Sequence, residues 1–144
     1  MARWAPEETD TIAALAEEVV RGVGTNRTVI AVDGEHGVDL ERIASGLVRA
    51  FEGLGVSAMA ARATATDADT LRSELVQPFR STGEGDGILV VYGDGVLATH
   101  TRPLWRWTLW VEREPGSDGR KASASAVLDV ADPDHPRRNW ADAC

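Results

Sequence analysis

The chain has 144 residues, 43% of them apolar and 26% charged, with a net charge of −8. A chain of this length buries roughly two thirds of the surface it exposes when unfolded, so one domain over residues 1–144 is expected. The acidic balance excludes nucleic acid and anionic membrane as partners, because both require clustered basic residues.

Pro6, Glu7, Glu8 and Asp10 open a helix, since proline suits the first helical position and acids suit the positive end of the macrodipole. Ile12, Leu15, Ala16, Val19 and Val23 recur at helical spacing, and Gly22 and Gly24 mark the stop. Residues 28–32 are a β-branched run that predicts a buried strand, followed by a glycine turn over residues 33–37. Leu40, Ile43, Leu47, Phe51 and Leu54 form one face of a second helix, closed by Gly53 and Gly55. Residues 56–60 predict a weaker strand. Residues 66–79 predict a helix that stops near Pro78.

Residues 88–92 are the most strand-like run, and residues 93–95 end it. A strand over 105–112 follows, with Trp105 and Trp107 on one face and Trp110 on the other. Residues 114–123 read as a charged surface loop, residues 124–130 as a last strand and residues 132–138 as an irregular tail. Strands that alternate with helices argue for a three-layer α/β fold of about five mostly parallel strands.

A strand, a glycine turn and a helix in that order form the setting of a Walker A loop, G-x-x-x-x-G-K-[ST]. There, backbone N–H groups and the helix N-terminus cradle phosphates, a lysine neutralises them and a hydroxyl holds Mg²⁺. The chain has Asp33, Gly34, Glu35, His36, Gly37, Val38, Asp39, Leu40 and Glu41 in this place. Asp39 stands at the second glycine, Leu40 at the lysine and Glu41 at the hydroxyl residue. Each acid beside a phosphate costs on the order of 1–4 kcal/mol. The only lysine in the chain, Lys121, lies far along the sequence. Asp39 and Glu41 suit a helix N-terminus instead, and His36 reads as a solvated turn residue.

In these residues and in later ones the chain resembles the uridine kinase family of P-loop phosphotransferases. Residues 28–54 follow that family's strand, Asp-Gly, loop and helix. Asp94-Gly95-Val96-Leu97 is similar to the acid-Gly-Val segment at the end of its later apolar strand, and Arg102-Pro103-Leu104-Trp105 to its Arg-Pro segment. The strongest likeness runs from Asp129 through Asp132-Pro133-Asp134-His135-Pro136-Arg137-Arg138, and the ending at residues 140–144 is similar too. The resemblance implies a P-loop fold, ATP with Mg²⁺ and phosphoryl transfer to a nucleoside. It also implies an adenine-side loop at Asp132, Pro133, His135 and Arg137.

The chain departs from the family where chemistry sits. The family's general-base aspartate has no counterpart in residues 61–66, and only residues 114–122 fill the place of its lid, with Arg113 and Arg120 as the available arginines. Phosphate lysine, Mg²⁺ hydroxyl, general base and most of the lid are absent together. The expectation is therefore a non-catalytic pseudokinase that uses neither ATP nor Mg²⁺ and acts through a protein partner or self-association. A small-molecule binder in the remnant cleft and an unconventional nucleoside or metabolite kinase are the alternatives.

Asp94 is the acid left at a strand end, where it can cap a turn or hold a metal; with Asp33, Asp39 and Glu41 it can form an acidic cluster. The tryptophans read first as core packing; exposed in a cleft left open by a missing lid, they would instead suit a protein partner or self-association. Three histidines and a lone Cys144 give no zinc or nucleophile spacing. No apolar run reaches the ~18 residues of a membrane span, none follows Met1 as in a signal peptide, and Cys144 has no internal disulfide partner. A cytoplasmic location is expected.

Overall fold

A computed structural model of the chain describes residues 7–116 and 118–139. The expectations for Pro6 and for residues 140–144 lie outside the described residues.

Helix α1 (Glu8–Val23) buries the stripe Ile12, Leu15, Ala16 and Val19 that its periodicity predicts. Strand β1 (Thr28–Gly34) is buried at all seven positions. It runs two residues further than predicted, so Asp33 and Gly34 belong to the strand and not to the turn. Gly34 sits where β1 meets β4, and a Cβ there would stand 2.5 Å from the Val111 carbonyl oxygen. Helix α2 (Leu40–Gly53) buries Ile43, Ala44, Leu47 and Phe51. Strand β2 (Ala58–Arg62) follows.

The next helix passes through the proline that was expected to stop it. It consists of α3 (Ala68–Leu71), a π-helical turn (Arg72–Val76) and α4 (Gln77–Thr82). Pro78 has no N–H for the carbonyl one turn back, and the wider π turn just before it absorbs that loss. Beyond the proline, Phe79 is 8% exposed, and its burial rewards continuation of the helix.

Strand β3 (Ile88–Tyr92) matches its predicted bounds, and a 3₁₀ segment (Thr99–Leu104) leads to β4 (Trp107–Glu112). The segment read as a surface loop contains a short helix, α5 (Gly119–Ala122), before β5 (Ala126–Asp129). The tail read as irregular supplies a sixth strand, β6 (Arg137–Asn139), antiparallel to β5. Among the described residues the expected mostly parallel sheet has six strands in the order β2-β3-β1-β4-β5-β6, with the first five parallel.

Alternation along β1 divides two cores. Ile30 and Val32 pack with α1 and α2 on one face, and Val29 and Ala31 pack with Leu71, Phe79 and Leu97 on the other. The three layers are as expected. Trp105 and Trp107 do not share a face: Trp107 joins the first core, whereas Trp105 precedes β4 and joins the second. Its indole N–H donates to the Val96 carbonyl at 2.8 Å. Trp105, Trp107 and Trp110 are all buried, so none of them offers an exposed aromatic surface.

From β1 the chain turns to α2 on one face, and from neighbouring β3 it turns to the 3₁₀ segment on the other. Such divergence opens a crevice beyond the carboxyl ends of the strands.

Candidate functional site

The loop from β1 to α2 spans residues 35–39, which keeps the Walker A length. Three N–H groups at the loop are taken up within the fold, one of them by the neighbouring strand β4. Glu35 N–H donates to Val111 O at 3.0 Å, Val38 N–H to Glu35 O at 3.2 Å and Leu40 N–H to Val38 O at 3.0 Å. Asp39 is the N-cap of α2, and its Oδ1 accepts from Arg42 N–H at 3.0 Å. That carboxylate satisfies one orphan donor and complements the macrodipole, as expected for an acid at this position. Glu41 lies in the exposed first turn, and His36 is exposed.

Arg113, just beyond β4, closes over the loop. Its backbone N–H donates to Glu35 Oε1 at 2.6 Å, and its guanidinium donates to His36 O at 3.3 Å. Gly37 accepts this through a positive φ of 91° and the lack of a Cβ, which would stand 2.8 Å from Arg113 Nη2. Beside the loop lies a cleft of about 380 Å³ whose lining includes Gly37, Val38, Asp39, Arg42, Arg113 and Pro133. Arg42 makes a two-armed pair with Glu8 at 2.8 and 2.9 Å, tying the starts of α1 and α2 together.

Asp33 forms the floor of the crevice. It is fully buried, and it accepts from Gly34 N–H at 2.7 Å, Gly95 N–H at 3.1 Å and Leu97 N–H at 3.1 Å. Burial pushes its carboxyl above the usual carboxylate range, against the lowering pull of those donors and of Arg120. Arg120, carried by α5, reaches into the crevice. It lies 2.9 Å from Asp94 Oδ1, 3.4 Å from Asp33 Oδ2 and 3.1 Å from Asp118 Oδ2. Its guanidinium carbon stands 5.0 Å from the Trp110 ring centroid, within cation–π range. Asp118, foremost among these partners, raises the guanidinium further above its already high value, and Arg120 in turn lowers Asp118.

The next residue on α5 makes a second inward pair. Lys121 Nζ lies 3.0 Å from Glu112 Oε2, whose other oxygen accepts from the Trp110 indole N–H at 3.1 Å. Glu112 is 2% exposed, so the chain's only lysine matches a buried charge.

The structure brings together Asp33 and Asp94 but not the expected acidic cluster. Asp39 caps α2, Glu41 points to solvent, and Arg120 stands between the other two. Asp94 pairs with Arg120 where a turn-capping or metal role was considered. Among the described residues no group of three or more His, Cys, Asp or Glu could hold a metal ion. Of the loop after β5, Pro133 lines the cleft, and its carbonyl accepts from Arg42 at 3.4 Å. Asp132, His135 and Arg137 are not among the lining residues; Asp132 accepts from Asp134 N–H through its side chain and from His135 N–H through its carbonyl.

The sequence offers Arg120 only as an available lid arginine, and Asp118 and the Trp110–Glu112 pair escape it. Strand alternation puts Trp110 and Glu112 on one face, but nothing local reveals that α5 turns its two basic side chains onto them.

No protein-family model matches the chain, and no curated protein matches it in sequence. Among solved structures it is similar to a possible uridine kinase from Bacillus stearothermophilus, with a TM-score of 0.58 at 11% identity over 81% of this chain and 86% of that one. It is also similar to a proposed fructose transport system kinase from Silicibacter sp. TM1040, with a TM-score of 0.48 at 14% identity over 78% of this chain and 79% of that one. The first likeness shows the architecture: the chain has a uridine-kinase-like P-loop fold.

Proposed function

We propose that this chain is a non-catalytic pseudokinase that acts through protein contacts or self-association, with neither ATP nor Mg²⁺ as cofactor. One observation carries the reading: the Asp39 carboxylate caps α2 with its own oxygen, at the helix end where a P-loop presents bare N–H groups to phosphate. The neighbouring residues support it. Leu40 brings no cation, Glu41 brings a second acid, and the N–H groups of Glu35, Val38 and Leu40 are held by carbonyls of the fold, that of Glu35 by Val111 on β4 and the other two by the loop. Arg113 and Arg120 carry positive charge nearby, yet each is engaged with carboxylates of the chain itself. ATP·Mg²⁺ does not fit this set of residues.

A protein partner is favoured by the open sheet edge at β2, where Met59 is 55% exposed, and by Leu54 at 46% just before it. Edge strands are templates for pairing. A second reading, a small-molecule binder, is favoured by the 380 Å³ cleft at the loop mouth. The test is a turnover assay with ATP·Mg²⁺ and a panel of nucleosides, alongside light scattering over a concentration series. Phosphate transfer at the rate without protein, with mass rising toward a dimer, supports the reading. Transfer above that rate, abolished by Asp33→Asn, overturns it.

A further inference from the structure

The opposite end of the sheet carries a basic site unrelated to the remnant loop. A cleft of about 470 Å³ opens below the amino ends of β1 and β4. Arg27, Arg80 and Arg106 line it, together with Gly24, Thr25 and Asn26. In a chain of net charge −8, three guanidinium groups in one cleft are an anomaly that electrostatics alone would disperse or neutralise. Elsewhere Arg42, Arg72, Arg113, Arg120 and Arg138 find carboxylates, whereas Arg21, Arg49, Arg62, Arg102 and Arg137 make no ion pair among the described residues; this cleft differs in gathering three such guanidinium groups in one place. No ion pair among the described residues involves Arg27, Arg80 or Arg106. The nearby acids, Glu84 and Asp86, lie on the loop before β3, and Asp86 meets Asn26 in an isolated backbone bridge.

Arg27 is held as a fixed post. Its Nε and Nη2 donate to Phe79 O at 3.2 and 2.7 Å, and its guanidinium carbon lies 4.0 Å from the Phe79 ring centroid. Its backbone is left-handed at φ 49°, uncommon for a residue with a side chain. A Cβ at Gly83 or Gly87 would collide with the guanidinium, so both glycines make room for it. These contacts leave Nη1 uncommitted. Arg80 and Arg106 are exposed arms on either side, one from α4 and one from the residue before β4. A single guanidinium fork already uses both oxygens of a carboxylate. Two free forks, on Arg80 and Arg106, and the remaining Nη1 of Arg27 suit an oxyanion with more oxygens and more than one charge.

We infer that this cleft is a binding site for a phosphate-type oxyanion, with room for a diphosphate or a phosphate ester. Arg27 is its rigid donor, and Arg80 and Arg106 close on the ligand. The inference does not rest on the reading of the 34–41 loop, which lies at the other end of β1.

The test is isothermal titration of the full chain with inorganic pyrophosphate and, in a second arm, with ADP lacking metal. The wild type is compared with Arg80→Ala/Arg106→Ala, whose exposed side chains can be removed without touching either core. The site predicts saturable binding of pyrophosphate that weakens as sodium chloride is raised and falls at least tenfold in the double variant. Equal affinity for ADP assigns recognition to the diphosphate that the two probes share, weaker ADP binding assigns it to the free ion, and tighter ADP binding, also lost in the double variant, assigns it to a nucleotide. Absence of saturable pyrophosphate binding at low salt, or equal binding by the double variant, overturns the inference.

Discussion

Asp33 concentrates the residue-scale physics of the crevice. Its carboxyl is buried, receives three backbone N–H groups and faces one guanidinium. Burial is the largest influence and raises its pKa above the ordinary 3.8. A carboxyl raised in the fold binds its proton more firmly when folded than when unfolded. Its contribution to stability therefore falls as pH rises from 3.8 through its folded value. Asp118 has the opposite sign: Arg120 lowers it, so its contribution is present above 3.8 and is lost as pH falls through its folded value. Urea midpoints measured from acid to neutral pH should accordingly show the wild-type advantage over Asp33→Asn shrinking as pH rises. An advantage that grows with pH would mean that the N–H donors and Arg120 outweigh burial. From sequence, Asp33 and Gly34 were recognisable as a motif, because a strand, Asp-Gly and a helix follow one another locally. The partner of Asp33 was not, because Arg120 is 87 residues away.

At the scale of elements, the loop and α2 form one unit whose side chains and not its length depart from a phosphate cradle. Rebuilding the pattern with Asp39→Gly, Leu40→Lys and Glu41→Thr removes two acids and adds one lysine. Exchanging the cap for glycine costs only a few tenths of a kcal/mol, so the variant should remain folded. It is expected to gain ATP·Mg²⁺ affinity in calorimetry, and a folded variant with none would show that Arg113 and Arg120 also block the crevice. Elements with an apolar pattern were legible: β3 matched at both ends, and α1 and α2 bury the stripes their spacing predicts. Elements without one were not. β6 is Arg137–Asn139, three polar residues with no alternation to read, and α5 is a single turn in a charged stretch. Pro78 misled for a different reason, since the π turn and the burial of Phe79 are tertiary responses to a local breaker.

At the scale of the molecule, the order of strands and helices was enough to foresee three layers and a parallel sheet, because crossover rules leave few alternatives. What the sheet carries at its two ends was legible only in part. At the carboxyl end the altered loop could be read directly, whereas the charges that fill the crevice come from a crossover helix whose direction no local pattern states. At the amino end, Arg27, Arg80 and Arg106 are scattered in sequence and meet only through the fold.

The measurement that reaches the central claim most directly is an amide-resolved NMR titration with ATP·Mg²⁺. The account predicts that the amides of residues 34–41 keep their resonances throughout, with any perturbation confined to the neighbourhood of Arg27, Arg80 and Arg106. Saturable shifts centred on Glu35, Val38 and Leu40 would contradict it, because those N–H groups would then have left their internal acceptors for phosphate.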